Sequence, residues 1–217
     1  MRKRLVNSIL VLAIGAALGV GVAAEGGQGA PPQGGQRQGA AGGRGGGRGF
    51  FLPPLLMETD AFPDGGIVPP KYVSANNGQS VLPAFKISNA PAGTQYYTVI
   101  FHDMDVSLMN GTGDVLHWIA WDIPASANGW PEGSLPAGSV QGKNLRGQNA
   151  YMGPGAPAGP RYHHYVFELY ATNAKLDLPD TASRDDVLKA LQGKVVAKAA
   201  YVGRFRSGEA PAGGGRQ

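Results

Sequence analysis

Three stretches decide the fold of this chain: Tyr96–Asp103 (YYTVIFHD), Val115–Ile123 (VLHWIAWDI) and Tyr162–Ala171 (YHHYVFELYA). Each is a run of β-branched and aromatic residues bounded by Gly, Pro, Asn or Asp, the composition of a strand rather than a helix. Weaker runs of the same kind lie at Leu55–Thr59, Val81–Ile87 and Ala199–Phe205. Between them, 125–142 and 147–160 are long and rich in Gly and Pro, and long loops on a sheet scaffold are where sites are usually built. One helix is expected, Ser183–Leu191, where Ser183 can cap, Asp185 and Asp186 oppose the macrodipole, and Val187, Leu188 and Leu191 form an apolar stripe. The expected fold is mainly β, an antiparallel β-sandwich or a related sheet fold with a late helix.

Alternate residues of a strand point to opposite sides, so counting by two assigns side chains to faces. In YYTVIFHD the count places Asp103 at the end of the row Tyr97, Val99, Phe101. It places His117 with Val115, Ile119, Trp121 and Ile123, and His163 with Tyr165, Phe167 and Leu169. Each strand then carries a polar group near one end of an apolar face. Desolvated polar groups need partners, and these groups are available to one another. A small pocket containing Asp103, His117, His163 and Tyr165 is expected. The segment Tyr151-Met152-Gly153-Pro154-Gly155-Ala156-Pro157 leads into the His163 strand, and Asp103-Met104-Asp105 starts a turn toward Asn110-Gly111. Glycines there admit close backbone approach, and free N–H groups beside an imidazole make an anion site.

Outside these strands the chain changes character. Residues 1–24 open with Arg2, Lys3 and Arg4, run apolar from Ile9 to Val22 and end on Ala23 and Ala24, the pattern of a secretory signal peptide. An uncleaved membrane anchor is the rival reading. Residues 25–49 hold 12 Gly and no aliphatic residue larger than Ala, so they cannot bury enough apolar surface to offset ordering entropy and read as a disordered Gly/Arg-rich linker. The tail 207–217 is similar in composition, leaving 50–206 as the folded domain. Export to the periplasm or beyond is the expected localisation.

The 217 residues suit one domain of ordinary size with flexible segments. The chain has no Cys, which excludes a disulfide-stapled fold, a thiolate zinc site, a Cys nucleophile and a lipid anchor on an N-terminal Cys. The formal charge of +4 comes from the leader and linker, since 50–217 holds 13 basic and 14 acidic residues. A near-neutral domain lacks the electrostatic footprint of a nucleic-acid binder. No nucleophile elbow, zinc helix, phosphate loop or dinucleotide turn occurs. Asp103, Asp105, His117 and His163 are chemically able to hold a divalent metal, but no metal and no cofactor is expected.

These motifs resemble the phosphatidylethanolamine-binding protein family in its bacterial branch, often called Raf kinase inhibitor-like proteins. The resemblance covers roughly Leu55 to Phe205. The family's D-P-D-A-P run stands here as Asp103-Met104-Asp105-Val106-Ser107, its H-W strand as His117-Trp118 through Pro124, and its G-P-x-x-P…H-R-Y segment as Gly153-Pro154-Gly155-Ala156-Pro157…His163-His164-Tyr165. Met104 and Ser107 replace family prolines, and His164 replaces the family arginine. The resemblance implies a large antiparallel sheet packed on a smaller one with peripheral C-terminal helices. It further implies an anion pocket lined by Asp103, Asp105, His117, His163 and Tyr165, with Gly153 and Pro154 at its edge.

The expected function is therefore non-catalytic binding of a small anion, a phosphate-containing or phospholipid head group, by an exported protein. His117, His163 and Tyr165 would donate hydrogen bonds, and the aspartates would orient the imidazoles or receive an ammonium. A carboxylate beside a histidine raises its pKa from about 6.5, so tighter binding in mild acid is expected. Two other functions stay open: a hydrolase with a histidine general base, which lacks an activated serine, and a protein-interaction module in the cell envelope. A homodimer and an envelope protein are the open macromolecular partners.

Overall fold

The computed structural model describes residues 54–74 and 80–208, so the leader, the linker and the tail from 209 lie outside the described residues. Ser207, the first residue expected in the tail, is held in place: its N–H and hydroxyl both donate to the Ala156 carbonyl, at 3.1 and 2.7 Å.

The chain forms β1 (Leu56–Glu58), β2 (Gly66–Ile67), β3 (Phe85–Ser88), β4 (Tyr96–Leu108), α1 (Met109–Thr112), β5 (Gly113–Pro124), β6 (Gly129–Trp130), β7 (Val140–Gln141), β8 (His163–Thr172), α2 (Arg184–Leu191) and β9 (Val195–Phe205). They make a six-stranded sheet in the order β2-β9-β8-β4-β5-β7 and a three-stranded sheet β1-β3-β6. All ladders are antiparallel except the short β2–β9 pairing. The three decisive runs are the adjacent strands β5, β4 and β8. The turn expected to start at Asp103 comes later, since β4 continues to Leu108 and α1 makes the reversal.

The two sheets bury one aromatic core between them. Phe101 and Phe167, paired in register across β4 and β8, stack at 3.9 Å between centroids, and Phe85 of the small sheet packs 4.9 Å from Phe167. On the other face of the large sheet, α2 lays Val187 and Leu191 against Ile100, Ile119, Trp121, Tyr170 and Leu176. Burying a large apolar side chain contributes roughly 1.5–3 kcal/mol, so both layers are held mainly by these faces. The helix begins as expected: Ser183 accepts from the Asp186 N–H at 3.1 Å while Asp186 accepts from the Ser183 N–H at 3.0 Å, a reciprocal capping box. Among the described residues α2 is the one C-terminal helix, where the resemblance implied several.

Period-two counting fails on β5. Phe101 pairs with Trp118 but His102 pairs with Leu116, so His117 is an extra residue at a β-bulge. A second irregularity lies between Val99↔Ala120 and Tyr97↔Ile123, where Asp122 adopts a left-handed φ of 54°. The inter-sheet core therefore receives Trp118, Ala120 and Ile123, while Ile119 and Trp121 turn to the α2 face. The expected grouping of His117 with Ile119 and Trp121 is corrected: the bulge puts His117 on the inter-sheet face with Trp118.

Candidate functional site

Asp103 closes the inner row of β4 and is paired in register with Tyr165 of β8, two residues beyond His163. Its carboxylate is 2% exposed and fully engaged. Oδ2 lies 2.9 Å from His163 Nδ1, Oδ1 accepts from the Asp105 N–H at 2.9 Å, and the Tyr165 hydroxyl donates to the same group. The Tyr165 oxygen in turn accepts from the N–H groups of Ala156 and Gly155, at 3.0 and 3.3 Å. Burial, then the charge of Asp103, pushes the Tyr165 phenol far up, so it stays protonated and donating.

His117 is anchored from the other side. Its Nδ1 lies 3.0 Å from the Met152 carbonyl and 3.1 Å from that of Gly153. A carbonyl cannot donate, so Nδ1 carries the proton and the neutral ring keeps its lone pair on Nε2. The ring stands edge-on to Tyr165, 5.1 Å between centroids at 87°. Burial holds the His117 pKa below its usual value, outweighing the Met152 carbonyl, the Asp103 charge and the Gly153 carbonyl, with the Arg146 charge adding to the depression. The rise expected from a neighbouring carboxylate is thus corrected for His117, because desolvation of a ring 6% exposed wins.

The 151–157 loop is clamped from below. The Gly153 N–H donates to Ser80 Oγ at 2.9 Å, and the Pro154 carbonyl accepts from the Ser74 N–H at 2.8 Å. A Cβ on Gly153 would lie 2.0 Å from the Tyr72 carbonyl oxygen, so only glycine permits this approach. The N–H groups of Gly153, Gly155 and Ala156 are all occupied by side-chain oxygens, and the sequence held no sign of that.

Asp105 stands apart from the buried group. Its Oδ2 accepts from the His164 N–H at 2.6 Å and lies 2.9 Å from His164 Nδ1, with Arg161 3.7 Å from Oδ1. Its burial would raise the carboxyl, but the His164 hydrogen bonds and the Arg161 charge hold it below the usual carboxylate value. Consecutive histidines on β8 thus serve alternate aspartates, His163 on Asp103 and His164 on Asp105. His102, the remaining histidine, points to the opposite face, with Nδ1 2.5 Å from Asp114 and Nε2 3.8 Å from Glu168.

The structure brings Asp103, His117, His163 and Tyr165 together, seats Gly153 and Pro154 beside them, and leaves Asp105 at the rim. Sequence reasoning missed Ser80 and Arg146, whose charge reaches His117, and placed Tyr151 in the pocket loop without its stacking 5.4 Å from Phe101. Each acts through a loop with no periodicity to count. Among the described residues no three of His, Asp and Glu are grouped to hold a metal ion. The arrangement offers two imidazole Nε2 atoms fixed by carboxylate or carbonyl partners on Nδ1, a geometry that suits hydrogen bonding to an anion once a ring is charged.

The sequence profile described as "Phosphatidylethanolamine-binding protein" matches residues 58–206. A UPF0098 protein of Methanothermobacter thermautotrophicus is 36% identical over 159 residues, covering 71% of this chain and 100% of the relative. A Mycobacterium tuberculosis protein named "Putative lipoprotein LppC" is 31% identical over 152 residues, 70% of this chain and 72% of its own. The crystal structure of the Chlamydia trachomatis phosphatidylethanolamine-binding protein homolog CT736 superposes with a TM-score of 0.61 at 25% identity, covering 70% of this chain and 96% of that one. Escherichia coli YbcL shares the fold at a TM-score of 0.63 and 24% identity, covering 70% of this chain and 98% of its own.

Proposed function

The chain belongs to the phosphatidylethanolamine-binding protein family, and we propose that its Asp103–His117–His163–Tyr165 site binds a small phosphate-containing ligand without turning it over. The observation that carries this reading is the pairing of both imidazoles through Nδ1, His163 to Asp103 at 2.9 Å and His117 to the Met152 carbonyl at 3.0 Å. Each Nε2 is thereby the atom left to meet a ligand. Protonation of His117 gives a charged donor where the neutral ring has a lone pair, so anion and proton bind together. Arg146, whose charge already acts on His117, supplies a cation nearby. Asp103 is saturated by three donors, which favours an orienting role over contact with the anion.

An envelope location is part of this reading. It is supported by the lipoprotein name of the mycobacterial relative and by the signal-like leader. Isothermal titration calorimetry with phosphoethanolamine tests the ligand. Wild type should bind and His117→Gln should bind at least tenfold more weakly, whereas equal affinity would place the ligand elsewhere.

The Asp103–His163 pair has the orienter–base geometry of a hydrolase, and this supports catalysis as a second reading. Hydrolysis of a phosphoester by wild type that disappears in His163→Ala would establish it.

A further inference from the structure

Far from His117, the outer edge of β9 is covered at two points and open between them. Pro54 bridges it in parallel at Lys198, and β2 pairs with it from Gly203. Between these contacts β1 leaves β9 and pairs with β3 instead, setting Glu58 opposite Lys86. The wedge so formed is a cavity of about 570 Å³, with Ala199, Ala200 and Tyr201 on the β9 side and Leu56, Glu58 and Asp60 on the β1 side. Asp64 lines it as well, from the turn before β2.

The backbone on the β9 side is uncovered. The Val202 N–H donates to Asp64 Oδ1 at 2.8 Å and the Val202 carbonyl accepts from the Gly65 N–H at 2.8 Å, so both groups turn away from β8. β8 and β9 pair without a register shift from His163↔Phe205 to Ala171↔Ala197, and bonded and non-bonded pairs alternate along such a ladder. Ala200, two residues before Val202, therefore turns its N–H and C=O the same way, into the wedge. It is exposed, and among the described residues neither group has a hydrogen-bond partner. An open N–H and C=O side by side on a strand edge are a template for another peptide.

The wedge is also acidic. Three carboxylates line it, Glu58, Asp60 and Asp64, against the single cation Lys86. Lys86 meets Asp60 at 3.5 Å, but these side chains are 80% and 95% exposed, so the pair is weak. Burial, then the charges of Asp64 and Glu58, push the Tyr201 phenol up, which sets both carboxylates about one ring of the wedge. A second cavity of about 180 Å³ shares Glu58, Asp60 and Lys86 with the first and reaches Glu132, continuing the acidic groove. An anion is repelled here. A metal ion or a simple amine leaves the Ala200 N–H unmatched, whereas a peptide group answers both backbone groups at once.

We propose that this wedge takes an extended cationic peptide segment of a partner protein, which hydrogen-bonds to the Ala200 backbone and sets a lysine or arginine side chain among Glu58, Asp60 and Asp64. Strand residues rise about 3.4 Å each, so the opening between Lys198 and Val202 admits a segment of about four residues. The wedge shares no residue with the Asp103–His117–His163–Tyr165 site, and the inference stands independently of the phosphate reading.

A short fluorescein-labelled peptide alternating arginine and valine, titrated with the full chain, tests this by anisotropy, with amide NMR spectra to locate the contact. Saturable binding with a shift of the Ala200 amide is expected, and Glu58→Lys should weaken it by about tenfold. A peptide alternating glutamate and valine should not bind. Of two arginine–valine peptides N-methylated at every arginine or at every valine, one should bind about fivefold more weakly, since it lacks the N–H that meets the Ala200 carbonyl. Phosphoethanolamine affinity should be the same in Glu58→Lys as in wild type, which shows the variant folded. No binding at millimolar peptide, a silent Ala200 amide at saturation, or full affinity in Glu58→Lys overturns the proposal. So does an affinity that neither N-methylated peptide reduces, which leaves charge attraction alone, and so does a peptide-free dimer that buries the Ala200 amide, which makes a second copy the occupant.

Discussion

Asp103 Oδ2 and His163 Nδ1 lie 2.9 Å apart across β4 and β8, and Tyr165, opposite Asp103 in the ladder, donates to the same carboxylate. The contact joins the end of an apolar strand face to the start of the next strand. It is both a structural lock and the orienter of the imidazole. Neither role needs a ligand, so the network is complete within the protein itself.

Replacing Asp103 separates these roles. Asp103→Ala leaves His163, Tyr165 and the Asp105 N–H without their acceptor, and should cost about 3 kcal/mol in urea unfolding. Asp103→Asn keeps the shape and should cost less, yet it turns one of the two acceptor oxygens into an N–H donor, set against either His163 Nδ1 or the Asp105 N–H. Phosphoethanolamine affinity should fall in both variants. Unchanged stability in Asp103→Ala would show that the carboxylate is not the hub of this network.

The depressed pKa of His117 fixes the sign of a pH effect. Its folded value lies below the unfolded value of about 6.5, so its contribution to stability is present above pH 6.5 and is lost as pH falls through the lower folded value. A bound anion favours the charged ring and opposes that loss. Sulfate keeps its charge over this range, and its affinity should rise by up to about tenfold per pH unit as pH falls toward the folded value, then level off below it. In His117→Gln this His117-linked increase should be absent, as measured by calorimetry.

Gly153→Ala should disable the site through packing alone. The added methyl would sit 2.0 Å from the Tyr72 carbonyl oxygen and 2.9 Å from Ser80 Cβ, so the loop must move and its grip on His117 must loosen. A loss of about 2 kcal/mol together with weakened ligand binding is expected from thermal unfolding and titration. Gly147, with a φ of 75° and nothing within 4 Å of an added Cβ, is a useful contrast: Gly147→Asn should leave binding unaltered.

On the opposite face Asp114 holds both His102 and Arg184, tying β4 to the first turn of α2. Burial would raise its carboxyl, but the Arg184 hydrogen bond and the His102 charge bring it below the usual value. That contribution is present above about pH 4 and is lost as pH falls through the lower folded value. Asp114→Ala should cost about 2 kcal/mol and flatten the acid limb of the stability profile, since buried His102 loses its partner.

The fold was legible because β4, β5 and β8 are long, strongly β-forming and bounded by turn residues, and α2 carries its own cap at Ser183. The grouping of Asp103, His163 and Tyr165 was legible too, because β4 and β8 pair residue for residue from Tyr96 to Asp103, and alternation holds. His117 reached the same face by another route. A bulge is one extra residue, and on β5 it reversed the faces of Ile119 and Trp121 while leaving His117 inward. The seat of Gly153 on Tyr72 and Ser80 depends on long-range loop contacts, and no local pattern marks Ser80 or Arg146. The pKa of His117 was misread because a neighbouring charge shows in the sequence, whereas the depth of burial does not.

The most direct test of the account is an NMR titration of the protein with phosphoethanolamine, following the imidazole nitrogens of His117 and His163. The account predicts saturable shifts at both Nε2 atoms, with His117 taking up a proton as the ligand binds and Nδ1 of each ring keeping its present partner. Shifts confined to other residues, with both rings silent at saturation, would contradict it.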